Sequence, residues 1–242
     1  MAGKIQRLDK LISNSFDYSR SQVKELIKKK KVLVNDNIVL SPELKVNPDS
    51  DKIVVDGQNL NYTEFVYYML NKPAGVVSAT NDNTCKTVLE LIETPAKSGL
   101  FPVGRLDKDT EGLLIITNDG ELSHSLLSPK KHVDKTYYVE TDAIITDEMA
   151  DKLTKGLDIG DEKPTLPAKI EIIKVNKSNT NRAYLTITEG RFHQVKRMFK
   201  AVGPTVTFLK RISMSRLMLD ENLKPGEYRE LTDEELGLLK GE

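Results

Sequence analysis

Tryptophan is absent from the 242 residues, Cys85 is the only cysteine, and His124, His132 and His193 are the only histidines. One cysteine excludes an internal disulfide and points to a reducing, cytoplasmic compartment. So few histidines and cysteines leave little with which to hold zinc, and the expectation is no metal. No apolar run approaches the roughly 18 residues that cross a bilayer, and the start lacks a signal-peptide core, so no membrane partner is expected. Net charge is lacking too: Lys+Arg and Asp+Glu each number 36. Bulk charge therefore identifies no anionic partner.

What is present is a soluble globular composition, 38% hydrophobic and 30% charged. The length suits one large domain, or a small one followed by a larger one. Charge is segregated along the chain. Arg20 to Lys31 holds six basic residues against Glu25, and Glu189 to Met218 holds seven against Glu189 alone. The tail from Asp220 to Glu242 reverses the balance with eight acids and three bases. A neutral chain built this way can bind a polyanion locally.

Residues 7–12 carry apolar side chains at helical spacing, and Ser19 or Ser21 can cap a second helix over 22–29 with Val23, Leu26 and Ile27 on one face. Val32–Val34 and Ile38–Leu40 flank Asn35-Asp36-Asn37 as strand, turn and strand. Ile53–Val55 closes this unit, and Asp56-Gly57-Gln58-Asn59 reads as a linker. Beyond it, strands are predicted over 65–70, 113–117, 136–141, 170–175 and 183–188, with extended chain over 206–219. Helices are predicted near 121, over 147–153 and over 192–202. The fold class is α+β: a small αα-β domain over 1–58, then a domain over 59–242 with a mixed, largely antiparallel sheet flanked by helices.

Arg20, Lys24, Lys28 and Lys31 recur at roughly helical spacing, so one side of the second helix carries most of its charge. Such a face can meet phosphates with salt-sensitive affinity, or can simply be solvated. In the stretch Gly104-Arg-Leu-Asp107-Lys-Asp109-Thr-Glu111 and onward to Asp119-Gly120, four carboxylates surround a turn that feeds an apolar strand. Taken alone, this is equally a polar loop with Asp109 or Thr110 capping local backbone, and Asp119-Gly120 a turn before a helix.

These segments resemble known families. Residues 5 to 55 are similar to the S-four RNA-binding module, although Lys30 and Asp36 stand where that module often has glycine. The block from Gly104 to Gly120 resembles the central motif of pseudouridine synthases. Lys72-Pro-Ala-Gly75 resembles their first motif, Lys135-Thr-Tyr137-Tyr-Val the one carrying the active-site aromatic residue, and Glu189 to Met198 their last. The run Phe192-His-Gln-Val-Lys-Arg-Met198 points to the RsuA-like branch that acts on 16S rRNA.

The resemblance implies an isomerase of the intramolecular-transferase type that converts one rRNA uridine to pseudouridine, with no cofactor, and a monomer. Asp107 is implied as nucleophile or base, Lys196 as the partner holding it ionised and aimed, and Tyr137 as a stacking ring with a hydroxyl near the transferring proton. Arg105 and Leu106 are expected to contact phosphate and wedge into the stack. Arg191 and Arg197 are expected to add a second phosphate contact beside that of Arg20, Lys24 and Lys28. His193 reads as a hydrogen-bonding structural residue. Two rivals stay open: the same chemistry on 23S rRNA or tRNA, and a noncatalytic RNA-binding ribosome-assembly protein. A hydrolytic glycosidase fits poorly, since no second carboxylate with suitable placement can be identified.

Overall fold

The computed structural model describes residues 5–16, 18–60, 64–94 and 99–242. The chain divides into two units, Met1–Val66 with Ile92–Leu100, and Tyr67–Leu91 with Phe101–Glu242.

In the first unit, β1 (Gln6–Arg7) leads into α1 (Leu8–Ser15) and α2 (Arg20–Lys28). Ser19 caps α2 reciprocally: its Oγ accepts from the Gln22 amide at 3.3 Å, and its own amide donates to Gln22 Oε1 at 2.7 Å. The four-residue spacing of Val23 and Ile27 turns both into a core shared with Leu8, Leu11, Ile12, Val32, Val46, Ile53 and Val55. Arg20, Lys24 and Lys28 are left exposed on α2.

A four-stranded sheet follows, made from β2 (Val32–Val34), β3 (Asn37–Ile38), β5 (Ile53–Val55) and β6 (Gln58–Asn59), while β4 (Lys45–Val46) pairs with β1. Asn35 and Asp36 both take positive φ, as a two-residue hairpin turn requires, and Lys30 does so at the preceding bend. The strand expected over 38–40 starts one residue earlier, with Asn37 and Ile38 in register with Val34 and Leu33, and Val39 adds a single amide bond to the Val32 carbonyl at 3.0 Å.

The linker reading of residues 56–59 is overturned. Asp56 and Gly57, at φ +48 and +83, form the turn of a hairpin that pairs Val55 with Gln58 and Val54 with Asn59. Lys31 Nζ donates to Asp56 in this turn at 2.7 Å.

The second unit is built on a nine-stranded mixed sheet. Its strands are β7 (Tyr67–Lys72), β8 (Phe101–Pro102), β9 (Glu111–Thr117), β10 (Lys135–Thr141), β11 (Lys169–Val175), β12 (Ser178–Ile187), β13 (Val206–Met214), β14 (Leu217–Met218) and β15 (Tyr228–Glu230). The order is β11-β12-β10-β13-β9-β7-β15, with β14 beside β13 and β8 beside β9. All pairs are antiparallel except β13 with β9. The helices are α3 (Gly120–Leu127), α4 (Asp147–Leu153), α5 (Gln194–Val202) and α6 (Asp233–Lys240).

Continuous burial of Gly112–Thr117 marks β9 as a strand covered on both faces. One face packs Leu113 and Ile115 with Met69, Val103, Leu122, Leu126, Met214 and Leu239.

Gly112 sits in the parallel β9–β13 pairing. At φ +100, a Cβ here would lie 2.2 Å from the Arg211 carbonyl oxygen. Only glycine lets the start of β9 approach β13 this closely. Several boundaries differ from expectation, among them the strand expected over 65–70, which runs Tyr67–Lys72, and the one expected over 183–188, which runs Ser178–Ile187. The extended chain of 206–219 turns back at Ser215 into the β13–β14 hairpin. The helix expected from Phe192 begins at Gln194, because His193 sits in the left-handed region at φ +49.

Candidate active site

Asp107 lies on the loop between β8 and β9, and that loop is anchored from below. Ser78 Oγ donates to the Leu106 carbonyl at 2.9 Å and accepts from the Leu106 amide at 3.0 Å. The Gly75 amide donates to the Lys108 carbonyl at 2.7 Å, and the Thr110 amide to the Asp107 carbonyl at 3.1 Å. The fully buried Lys72 ammonium donates to the carbonyls of Thr110 at 2.8 Å, Pro73 at 3.0 Å and Lys108 at 3.3 Å. Burial pushes Lys72 down to about 8, against the pull of Asp109, Asp107 and Glu111. The lysine of the Lys-Pro-Ala-Gly stretch is thus a clamp beneath the loop.

Above the loop, α5 supplies the partners. Lys196 Nζ stands 3.2 Å from Asp107 Oδ2 and 2.5 Å from Asp109 Oδ1. Partial burial works against its charge, but the hydrogen bonds to Asp109 and Asp107 prevail and raise it. The Lys196 hydrogen bond holds Asp109 below the usual carboxylate range. His193 Nε2 lies 3.7 Å from Asp107 Oδ1, brought there by the left-handed backbone before α5. The Asp107 side chain keeps 24% of its surface exposed.

A cavity of about 910 Å³ opens beside it, lined by Asp107, Arg105, Tyr137, Lys135, Arg211 and His193 among others. Strand alternation places Tyr137 inward on β10, buried in the cavity wall. Arg105 is exposed at the same cavity.

Three expected contacts are placed otherwise. Leu106 is 5% exposed and fixed by Ser78 through both backbone groups, so it is not presented as a wedge. Phe192, 75% exposed and stacked 3.9 Å from the His193 ring, and Leu127, 41% exposed, are apolar side chains this cavity offers to solvent. Arg191 donates to Glu189 at 3.1 Å and to the carbonyls of Lys163 and Pro164 at 2.6 and 2.8 Å. Arg197 grips both oxygens of Asp161 at 2.7 and 3.1 Å and the Phe192 carbonyl at 2.8 Å. Both guanidinium groups staple the 159–164 loop to the start of α5 instead of standing free for phosphate. The Arg197 hydrogen bond, seconded by Arg191, keeps Asp161 below the usual carboxylate range.

Lys72, Ser78, Lys135 and Arg211 were not singled out from the sequence as site residues. A period-two reading of β10 would have found Lys135, which shares a face with Tyr137. Ser78 ends the Val76-Val-Ser run that extends the first motif, but nothing in that run shows that its hydroxyl holds Leu106. Among the described residues, no group of three or more His, Cys, Asp and Glu is placed to hold a metal ion.

A family model described as RNA pseudouridylate synthase matches residues 66–201, and an S4 domain model matches residues 6–53. An uncharacterized RNA pseudouridine synthase of Bacillus subtilis is 51% identical over 235 residues, covering 96% of this chain and 98% of that protein. Ribosomal small subunit pseudouridine synthase A of Escherichia coli is 41% identical over 232 residues, covering 95% and 98%. A crystal structure of a pseudouridylate synthase superposes with a TM-score of 0.68 at 38% identity, covering 97% of this chain and 99% of that one. Its carboxylate loop, its cavity and these likenesses together make the chain a member of the RNA pseudouridylate synthase family, an isomerase with an S4 domain in front of its synthase domain.

Proposed function

We propose that this enzyme converts one uridine of ribosomal RNA to pseudouridine, that the RNA is 16S rRNA, and that Asp107 is the group that reacts. The observation that carries the reading is the Asp107 carboxylate, buttressed by Lys196 at 3.2 Å, at the wall of a cavity of about 910 Å³. That volume is in the range of sites that enclose small organic groups, and suits an extruded nucleotide.

Pseudouridine formation breaks the bond from ribose C1′ to uracil N1, turns the base and rejoins it through C5. Asp107 adds to C1′ as a nucleophile, or takes a ribose proton as a base. Lys196 holds its carboxylate in place. Tyr137 offers its ring to the freed base and its hydroxyl to the proton leaving C5. Nothing in this balance calls for a redox partner or an external group, so the enzyme acts without a cofactor; its action as a monomer is proposed independently of that balance.

Arg105, exposed at the cavity, contacts a phosphate beside the target. The exposed Arg20, Lys24 and Lys28 of α2 carry salt-dependent, sequence-tolerant binding in the S4 domain. The small-subunit target is supported by the 41% identity to a protein named for the ribosomal small subunit.

The test is to map pseudouridines in ribosomal RNA from cells with and without this protein, and then to offer purified enzyme 16S, 23S and tRNA transcripts. One 16S position lost from the cells, and restored in vitro, is the expected result. A lost position in 23S rRNA or tRNA would move the target, and unchanged RNA would indicate a noncatalytic role.

A further inference from the structure

Two buried cations share one wall of the cavity, and among the described residues neither has a carboxylate within ion-pair distance. The β10–β13 ladder sets Tyr137 opposite Arg211. Alternation along β10 turns Lys135 to the same side as Tyr137, and along β13 it buries Arg211 with Leu209; all four line the cavity. Lys135 is 7% exposed and Arg211 2%.

Lys135 Nζ donates to the Val133 carbonyl at 2.9 Å, and Arg211 Nε to the Leu113 carbonyl at 2.8 Å. Arg211 Nη2 is buried with no hydrogen-bond partner among the described residues. The neighbouring acid, Asp134, is engaged by Lys169 at 3.1 Å. Burial first, then the Arg211 charge, pushes Lys135 down to about 8, with only Asp134 pulling the other way.

A buried cation without a counterion costs stability, and a buried donor without an acceptor adds to that cost. Lys196 is fully matched by Asp107 and Asp109, whereas this wall is not. The missing negative charge is therefore one that arrives with the substrate.

We infer that Lys135 and Arg211 hold the carbonyl oxygens of the target uracil and take up the negative charge it acquires when it detaches from ribose; this rests on the isomerase reading above. When the C1′–N1 bond breaks, its electron pair stays on N1 and spreads to O2 and O4. At the sugar, Asp107 forms a bond to C1′ or removes the C2′ proton, and by either route the base leaves as an anion. Donors fixed where charge develops act most strongly in a site shielded from water.

The geometry of uracil adds a second reason. A half-turn about the line through N3 and C6 exchanges N1 with C5 and, at the same time, O2 with O4. A cationic wall that holds one oxygen before the turn meets the other after it. The same two donors then serve bond breaking and bond making. C5 attacks C1′ and displaces the Asp107 carboxylate or, on the elimination route, attacks as Asp107 returns the proton to C2′. C5 afterwards gives up its own proton at the Tyr137 hydroxyl.

The experiment uses the full-length chain in single turnover on RNA carrying either uridine or 5-fluorouridine at the target, with loss of the N-glycoside as readout. Fluorine stabilises the uracil anion intrinsically, so less is asked of the protein. Lys135→Gln and Arg211→Lys should slow the uridine RNA by about 10²-fold, the scale for losing one charge-stabilising donor. On the fluorinated RNA the deficit should be at least about tenfold smaller, with RNA Kd essentially unchanged.

Equal deficits on both RNAs, or a loss confined to Kd as a phosphate contact would give, overturns the inference while leaving the isomerase reading intact. A wild-type enzyme that leaves both RNAs unchanged overturns the isomerase reading and this one with it. If Arg211→Lys does not fold, Lys135→Gln decides the matter, because a glutamine amide can keep the bond to the Val133 carbonyl.

Discussion

The Lys196 ammonium stands 3.2 Å from Asp107 Oδ2, joining the helix of the last motif to the loop of the central one. The same nitrogen also holds Asp109. Removing the cation leaves two neighbouring carboxylates facing each other with nothing between them. Lys196→Met should lower kcat by about 10²-fold or more while RNA Kd changes little. Lys196→Arg can still reach both acids and should retain most of the rate. Equal kcat for wild type and the methionine variant would remove Lys196 from the site.

Gly112 carries a second prediction. Alanine there would set its Cβ 2.2 Å from the Arg211 carbonyl oxygen and 2.9 Å from its nitrogen, both backbone atoms that cannot swing away. Gly112→Ala should destabilise the protein by about 3 kcal/mol in urea unfolding. Gly75 has a similar φ of +87 but no atom within 4 Å of the added Cβ, so Gly75→Ala should cost only about 1 kcal/mol. Equal costs would mean that the close approach of β9 to β13 is not what requires glycine.

Much of this site was legible before the fold was known, because its chemistry is concentrated in short local patterns. Asp107, Tyr137 and Lys196 each stand in a recognisable stretch, and the alternation of 136–141 already marks which side of β10 Tyr137 shares. What was not legible depends on contacts between distant residues. Arg191 and Arg197 read as free cations until Asp161 is placed beside them. Leu106 reads as an exposed apolar side chain until Ser78 is found holding both its backbone groups. Asp56–Asn59 reads as a linker because a two-residue exposed strand has no apolar period, and only its pairing with Ile53–Val55 reveals it. Burial of Arg211 follows from the parallel β9–β13 contact, which no local pattern announces.

Lys72 and Lys135 give the protein a distinctive pH response. Both titrate near 8 in the folded chain against 10.5 for an ordinary lysine. Between about 8 and 10.5 the unfolded chain therefore binds more protons, so these groups make unfolding free energy rise with pH across that window. Below 8 both states are protonated and the buried charge only costs stability. Lys135→Gln removes one share of this response. The stability of wild type relative to the variant should rise by on the order of 1 to 3 kcal/mol from pH 7.5 to 10.5, by urea unfolding at each pH. A flat or falling difference would contradict the assignment.

Tyr137 separates two roles of one ring. If stacking on the base dominates, Tyr137→Phe keeps substantial turnover and Tyr137→Ala loses about 1–3 kcal/mol of base contact. If the hydroxyl carries the proton from C5, Tyr137→Phe is nearly inactive yet accumulates an intermediate joined to Asp107. The second outcome is expected: of the three histidines only His193 reaches the cavity, and it faces Asp107. Single-turnover kinetics on substrate RNA distinguishes them, and wild-type rates for both variants would exclude Tyr137.

The claim on which all of this stands is that the Asp107 carboxylate reacts with the substrate. Asp107→Asn replaces it with an amide of the same shape that can act neither as nucleophile nor as base, while the exposed cations of α2 and Arg105 stay in place. The measurement is tritium release from RNA labelled at uridine C5, together with RNA Kd. The variant should release no tritium above background and bind RNA within about twofold of wild type, the margin allowed for one uncharged substitution. Tritium release by Asp107→Asn at a measurable fraction of the wild-type rate would contradict the account.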